Sequence, residues 1–141
     1  MPGGQPAVIA VASTVSGEGK TFVAMNVAAI ISMLGRKTLL VGLDLRKPRI
    51  NKILNLDHSK GMSTYLSGNH KFDDVVQPTP IENLWFVSSG PIPPNPSELI
   101  ERQTMTDFLV KARKEFDYII IDTQPAAVVP DDLLLLSLIH I

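Results

Sequence analysis

A glycine-rich stretch near the start of the chain carries residue types that bind phosphate. It runs Ser13-Thr14-Val15-Ser16-Gly17-Glu18-Gly19-Lys20-Thr21, after an apolar run at 7–12 and before a long apolar segment. The two glycines allow the backbone to curl so that successive N–H groups point inward, and a helix beginning near Lys20 adds its positive dipole end. Lys20 would reach the β and γ phosphates, and the Thr21 hydroxyl would bind the bridging Mg²⁺. The stretch therefore predicts a polyphosphate site.

This loop departs in one place from the usual pattern of a phosphate-binding loop, G-x-x-x-x-G-K-[ST]. Thr14 stands where the first glycine belongs. The alternative is a glycine-rich turn between a strand and a helix, in which Lys20 and Thr21 follow by chance. A strand pattern before the loop and a helix pattern after it favour the phosphate site.

Two carboxylates follow continuous apolar runs of the kind that buried parallel strands show. Asp44 comes after the run 38–43, and Asp122 comes after the run 118–121. Because ligands bind beyond the carboxyl ends of strands in open α/β sheets, both should face the same crevice as Lys20. Asp122 has the form of a Walker B carboxylate, which would hold Mg²⁺ directly or through a water. For Asp44 the alternative is a carboxylate that caps a turn.

The elements that must position these residues alternate between strand and helix patterns. Strands are predicted at 7–12, 38–43, 84–88 and 116–123, and helices at 20–34, 62–66, 73–76 and from about 96 onward. Met105, Phe108, Leu109 and Ala112 recur at helical spacing, which predicts a helix that packs on the sheet. The order predicts an α/β fold with a doubly wound, mostly parallel sheet. Residues 45–83 are otherwise interpreted as connection.

Composition limits the class of protein and of partner. The chain has 141 residues, 45% of them hydrophobic, a formal net charge of −1 and no cysteine. A near-neutral charge gives no case for nucleic acid or an anionic membrane as the main ligand. The absence of cysteine excludes disulfides and thiolate metal sites and fits a cytosolic protein. The longest apolar helix candidate, 22–34, is too short to span a bilayer, and 1–4 lacks the features of a signal peptide.

Taken together, these features resemble the cytoplasmic domain of the bacterial tyrosine kinases that assist in making and exporting exopolysaccharide and capsule. The resemblance runs from about Ala7 to about Asp132. Its most specific part is Ser89-Gly90 followed by Pro93-Pro94-Asn95-Pro96-Ser97-Glu98-Leu99. The loop Gly17-Glu18-Gly19-Lys20-Thr21 and the strand ends Asp44-Leu45-Arg46-Lys47-Pro48 and Asp122-Thr123 add to it.

The resemblance implies a P-loop NTPase-like fold and an ATP-dependent protein tyrosine kinase that phosphorylates itself, with ATP and Mg²⁺ as cofactors. Carried over residue by residue, it implies that Lys20, Asp44 and Arg46 are catalytic. Thr21, Asp44 and Asp122 are the implied metal ligands. The nucleotide-binding residues that it implies are Ser16, Gly17, Glu18, Gly19, Lys20 and Thr21.

The family resemblance also implies partners and a location. The partners are a transmembrane polysaccharide co-polymerase, fused or separate, protein tyrosine substrates including the kinase itself, and other copies in a ring. Nucleic acid is not among them. The implied location is the inner face of the cell membrane, reached through the transmembrane partner or a fused segment.

Several departures from the family pattern bear on activity. Gly42 stands where many members carry an acidic residue, so the role of that carboxylate would fall on Asp44 alone. Gln124 replaces the first proline of the usual Asp-Thr-Pro-Pro. The arginine-containing segment before the loop, the strand that shapes the adenine pocket and the tyrosine-rich tail have no counterpart, and the chain has two tyrosines.

These departures predict a partial kinase domain over 1–135 that transfers little phosphate by itself. The closing residues, 136–141, resemble the translation of a transposon-end sequencing adapter, and we expect them to be non-native.

Two other functions stay open on the sequence. One is a positional or partitioning ATPase of the MinD and ParA type, which would transfer phosphate only to water. Those proteins carry a lysine five residues before the catalytic lysine, where this chain has Val15. The other is a non-catalytic nucleotide-binding partner of a polysaccharide exporter, which the glycine at 42 favours.

Overall fold

The computed structural model describes residues 7–12, 18–43, 57, 59–92, 94, 102–122 and 137–140. For 7–12, 18–22, 102 and 137–140 only the backbone is described. The elements, in chain order, are β1 Ala7–Ala12, α1 Glu18–Met33, β2 Thr38–Gly42, α2 Met62–Leu66, α3 Phe72–Val75, β3 Val76–Pro78, β4 Leu84–Val87, α4 Arg102–Glu115, β5 Tyr118–Asp122 and β6 Ser137–His140. None of the helices in these ranges is long and apolar enough to cross a bilayer.

The strands form one sheet in the order β3-β4-β2-β5-β1-β6. All neighbouring pairs are parallel except β3 with β4, which is antiparallel. The chain leaves β1, forms α1 and returns as β2, and the later strand β5 lies between the two. The crevice at the carboxyl ends of β1 and β2 is therefore where this kind of fold binds ligands. The predicted doubly wound, mostly parallel α/β fold is confirmed.

Helices cover both faces of the sheet, which explains why its central strands are apolar on both sides. Leu39 and Val41 of β2 pack in one core, with α2, α3 and α4. Leu40, between them in the sequence, packs in the second core against Ala24 and Ala28 of α1. All five residues of β2 are buried, as a strand between two helix layers requires.

Helix α4 packs on the sheet through the face that its sequence pattern predicts. Met105, Phe108, Leu109 and Ala112 are all 0% exposed. The Phe108 ring lies 5.4 Å from the rings of Tyr65 and Phe72, centroid to centroid, and so joins α4 to α2 and α3. Burial, with a further contribution from Asp107, raises the pKa of the Tyr65 hydroxyl above its ordinary value. Residues 95–101, which include the predicted start of this helix, lie outside the described residues.

Three features differ from the sequence expectations. Residues 76–78, expected to be connection, form the edge strand β3. Three residues are too few to show a strand pattern in the sequence, and the strand forms through its pairing with β4. Helix α1, expected to be covered on several sides, exposes Ile30 and Met33 at 59% and 80%. Residues 137–140 form β6 beside β1. The adapter origin of residues 136–141 concerns the gene and stays a prediction.

Replacement of the ring that joins the helices should destabilise the fold strongly. We expect Phe108→Ala to lower the free energy of unfolding by about 3–5 kcal/mol, since it leaves a cavity between α2, α3 and α4. The matched control is Val110→Ala on the same helix, which is 41% exposed. It should change the unfolding free energy by less than about 1 kcal/mol. Urea unfolding followed by circular dichroism measures both, and equal losses would contradict the assigned packing.

Candidate functional site

The carboxyl ends of β1, β5 and β2 meet at one edge of the sheet. Asp122, the last residue of β5, pairs with Val11 of β1 on one side and Gly42 of β2 on the other. The N–H of Leu43 donates to the carbonyl oxygen of Asp122 at 2.8 Å, which continues the pairing past β2. The glycine-rich loop follows β1, and Asp44 follows Leu43. Asp122 thus lies between the end of β1, which leads into the glycine-rich loop, and the end of β2, which leads to Asp44.

Asp122 is held at this edge by a strand that is buried throughout its last four residues. Its own exposure is 3%. A carboxylate removed from water to this degree is stable as an anion only with hydrogen bonds or a cation close to it. Carboxylate oxygens are ligands that Mg²⁺ accepts, so the residue fits the predicted metal role.

The start of α1 provides the backbone frame of a phosphate loop. The helix begins at Glu18, two residues before the predicted start, so Gly19, Lys20 and Thr21 lie in its first turn. The N–H groups of a first turn have no partner within the helix, and the helix dipole places partial positive charge there. With β1 before it, this helix start matches the geometry that binds phosphate. Ser16 and Gly17 lie outside the described residues.

The remaining predicted site residues, Asp44 and Arg46, also lie outside the described residues. Leu43, which precedes them, is 2% exposed and is bonded to the Asp122 carbonyl. Within the ranges that the structure does describe, no three His, Asp or Glu side chains cluster closely enough to hold a metal ion. The structure therefore brings Asp122, the start of α1 and the end of β2 to one edge.

Segment 88–90, at the carboxyl end of β4, is a part of this edge whose contacts the sequence did not reveal. Its three residues, Ser88, Ser89 and Gly90, are buried. The Ser88 and Ser89 carbonyls accept the N–H groups of Met62 and Ser63 at 2.7 and 2.9 Å, so α2 begins against it. Gly90 has a φ of 80°, a conformation that glycine adopts without strain. Gly61 and Gly90 are the features of the sequence that mark this contact. One sequence does not show, however, which two segments they bring together.

A groove elsewhere on the surface is separate from this edge. It has a volume of about 700 Å³ and lies between α3 and α4. Its lining comprises Tyr65, His70, Lys71, Phe72, Asp73, Thr104, Lys111, Lys114 and Glu115. None of these is a predicted site residue, and the lining carries both signs of charge. The sheet edge is therefore the candidate site.

Comparison with known proteins relates the sequence to a domain family and to named tyrosine-protein kinases. The family model described as an AAA domain matches residues 6–137. A putative tyrosine-protein kinase in the cps region of Klebsiella pneumoniae is 37% identical over 113 residues, which are 80% of this chain and 16% of that protein. The tyrosine-protein kinase CpsD of Streptococcus pneumoniae is 38% identical over 125 residues, 88% of this chain and 55% of that protein.

Solved structures of a tyrosine kinase domain and of a related nucleotide-binding protein superpose on this chain. The kinase domain of the Escherichia coli tyrosine kinase ETK superposes with a TM-score of 0.82 at 30% identity, covering 92% of this chain and 51% of that one. The septum site-determining protein MinD from Pyrococcus horikoshii OT3, complexed with Mg-ADP, has a TM-score of 0.73 at 25% identity, covering 87% and 50%.

The fold and the sheet edge thus define a P-loop nucleotide-binding domain. The chain belongs to the AAA domain family that its sequence matches, and within it to the kinase domains of the bacterial tyrosine kinases. It spans at most about half the length of these curated relatives.

The carboxylate at the centre of the edge should be needed for magnesium-dependent nucleotide binding. We expect Asp122→Asn to weaken the Mg²⁺-dependent affinity for ADP at least about tenfold, a loss of about 1.4 kcal/mol, because it removes an anionic metal ligand. Affinity measured in EDTA should change little. Titration calorimetry with and without Mg²⁺ tests this.

The matched control is Asp117→Asn, one residue before β5 and at the opposite edge of the sheet. Asp117 is exposed, and its carboxylate accepts the Lys37 backbone N–H at 3.1 Å. This variant should keep the wild-type magnesium dependence. If Asp122→Asn binds Mg-ADP as the wild type does, Asp122 is not a metal ligand.

Proposed function

We propose that this chain is the nucleotide-binding part of an ATP-dependent protein tyrosine kinase, which phosphorylates itself and regulates the synthesis and export of exopolysaccharide or capsule. The observation that carries this proposal is the position of Asp122 between the ends of β1 and β2. The identity to named tyrosine-protein kinases, 37% and 38% against 25% for MinD, supports the choice of substrate.

The proposed chemistry is phosphoryl transfer from ATP to a tyrosine hydroxyl. Catalysis of this reaction consists mostly of positioning and of stabilising charge on the phosphates. The N–H groups of the loop and the ammonium group of Lys20 hold the phosphates, and Thr21, Asp44 and Asp122 hold Mg²⁺. That ion supplies neutralisation of the phosphate charge when it is bound.

Two further side chains act on the transferred group and its acceptor in this proposal. A free tyrosine hydroxyl has a pKa of about 10, so it attacks most readily when a carboxylate orients it and accepts its proton. Asp44 has that role, since Gly42, two residues before it in the sequence, provides no carboxylate. Arg46 stabilises negative charge on the phosphoryl group in transit.

The proposed partners follow from the family and not from a surface of this chain. They are a transmembrane polysaccharide co-polymerase, fused or separate, which recruits the kinase to the inner face of the cell membrane, and protein tyrosine substrates. Other copies of the kinase in a ring are both partner and substrate. No nucleic-acid partner is proposed, because a net charge of −1 gives the chain no overall excess of positive charge for binding a phosphate backbone.

Two alternatives retain support. The likeness to MinD, at a TM-score of 0.73, agrees with an ATPase that transfers phosphate only to water. Val15, at the position where such proteins carry a lysine, argues against it. A non-catalytic nucleotide-binding partner is the other alternative, and Gly42 is the residue that favours it.

Lys20 should make a large contribution to nucleotide affinity. We expect Lys20→Ala to weaken Mg-ATP binding at least about tenfold, because it removes a point charge beside the phosphates. Lys111→Ala, on the exposed face of α4, removes the same charge away from the edge and should bind as the wild type does. Calorimetry with Mg-ATP measures both, and equal affinity of Lys20→Ala and wild type would refute the loop assignment.

Phosphotyrosine formation measured beside ATP hydrolysis distinguishes the proposed function from both alternatives. We expect little transfer from residues 1–135 alone. Transfer should appear when these residues are joined to a C-terminal strand, helix and tyrosine-rich tail of the kind that the family resemblance implies. In that longer protein, Asp44→Asn should reduce phosphotyrosine at least about a hundredfold while nucleotide still binds, because the amide cannot accept the proton.

The control for this variant is Asp73→Asn, an exposed carboxylate on α3. It should leave transfer unchanged. ATP hydrolysis without phosphotyrosine would support the MinD-like alternative, and nucleotide binding without either reaction would support the non-catalytic partner. Robust autophosphorylation by 1–135 alone would show that the additional region is dispensable.

A further inference from the structure

The groove between α3 and α4 is a concave surface that the proposed phosphoryl transfer does not use. Its volume of about 700 Å³ is within the range of small-ligand sites. One wall comes from residues 70–73 and the other from α4. Tyr65 and Phe72 line it with aromatic rings, and both rings contact the fully buried ring of Phe108. The aromatic lining is therefore fixed by the core.

Lysine side chains lie on both walls of the groove. Lys71 belongs to the wall at 70–73, and Lys114, in the last turn of α4, belongs to the other. Both are exposed, and within the part of the chain that the structure describes neither forms an ion pair. In all, three lysines and two carboxylates line the groove, so its charge is nearly balanced. A ligand with one compact negative charge is therefore a better complement than a long acidic segment.

Two hydrogen-bonding groups also line the groove. His70 is half-buried, and its Nδ1 atom is buried with no hydrogen-bond partner among the described residues. Because a buried polar atom without a partner is costly, the ring gains free energy when it turns toward an acceptor. Burial, with a smaller contribution from Asp107, raises the pKa of the Tyr65 hydroxyl. This hydroxyl therefore stays protonated at neutral pH and can donate a hydrogen bond.

We propose that this groove binds a phosphotyrosine side chain of another copy of the kinase, with Lys71 and Lys114 holding the phosphate and the rings of Tyr65 and Phe72 contacting the aryl ring. The proposal rests on the function proposed above, since phosphotyrosine is the product of that reaction. An aryl phosphate joins a flat apolar ring to a compact charge of nearly −2. Aromatic walls complement the ring, and lysine binds the phosphate as a point charge.

A short peptide with one phosphotyrosine between neutral residues tests this proposal on the 141-residue chain. We expect it to shift the amide NMR signals of residues 70–73 and 111–115. The same peptide with unmodified tyrosine, and inorganic phosphate alone, should each bind at least about tenfold more weakly, because each lacks one half of the contacts. If inorganic phosphate bound as tightly as the phosphopeptide, the rings would contribute nothing and the proposal would be overturned.

Charge replacements show whether the peptide occupies the groove. We expect the double variant Lys71→Ala and Lys114→Ala to weaken the phosphopeptide at least about tenfold, and both positions are exposed, so the fold should be kept. The matched control is Arg36→Ala, an exposed cation between α1 and β2, which should bind the phosphopeptide as the wild type does. Loss of affinity in Lys20→Ala, with none in the double variant, would place the peptide at the sheet edge and overturn the proposal.

Self-association of the longer protein tests the proposed partner. Phosphorylated copies should associate at least about tenfold more tightly than phosphorylated copies that carry the double replacement, as measured by analytical ultracentrifugation. Equal association of the two would overturn the assignment of another copy as partner.

This proposal and the proposed function fail separately, because the synthetic peptide supplies its phosphotyrosine already formed. Phosphotyrosine formation by the longer protein, with no peptide binding at the groove, would overturn only the groove assignment. Peptide binding at the groove, with no transfer by the longer protein, would support the groove assignment and refute the proposed function.

Discussion

The pairing of β5 between β1 and β2 is the constraint on which the rest of the structure depends. Parallel strands place all their carboxyl ends at one edge, so this order alone brings Asp122 between the strands that precede the glycine-rich loop and Asp44. A shift of one residue would turn the buried side chains of β5 to the other face. Because both faces are packed, the register of Asp122 is fixed by the core and not by the site.

Hydrogen bonds at both ends of the strands hold the register between β2 and β5. At the start of the strands, the Lys37 carbonyl accepts the N–H groups of Asp117 and Tyr118 at 2.7 and 3.2 Å. The Lys37 ammonium nitrogen lies 5.0 Å from the ring centroids of Trp85 and Phe116, a cation–π arrangement that joins the strand ends. At the finish, Leu43 donates to Asp122. Contacts at the start of β2 and β5 therefore also stabilise the pairing that ends at Asp122.

Much of this architecture could be predicted because the central strands and α4 have strong patterns. The apolar runs that became β2 and β5 need cover on both faces, and the spacing of Met105, Phe108 and Leu109 is helical. Strand β3 could not be predicted, since three residues that end in a proline acquire their pairing from β4. The exposure of Met33 depends on what packs beside α1, which local periodicity does not specify.

The candidate site was predictable in its residue types and less so in its arrangement. A carboxylate after a buried strand indicated Asp122, and the structure places it between Val11 and Gly42. From the sequence alone, Gly42 is only a missing carboxylate, because Ser89, whose nitrogen would lie 3.2 Å from an added Cβ, is almost fifty positions away. Glycines that allow close approach have no partner visible in one sequence. The structure therefore adds the packing behind the predicted chemistry.

Paramagnetic relaxation by Mn²⁺ tests the central claim, that nucleotide and metal bind at the edge marked by Asp122. Mn²⁺ substitutes for Mg²⁺ at oxygen ligands and broadens the NMR signals of nearby amides. With Mn-ADP, the account predicts strong broadening at Ala12, Leu43 and Asp122, and little at Lys37 and Tyr118 on the opposite edge. Equal broadening at both edges, or broadening centred on the groove between α3 and α4, would contradict it.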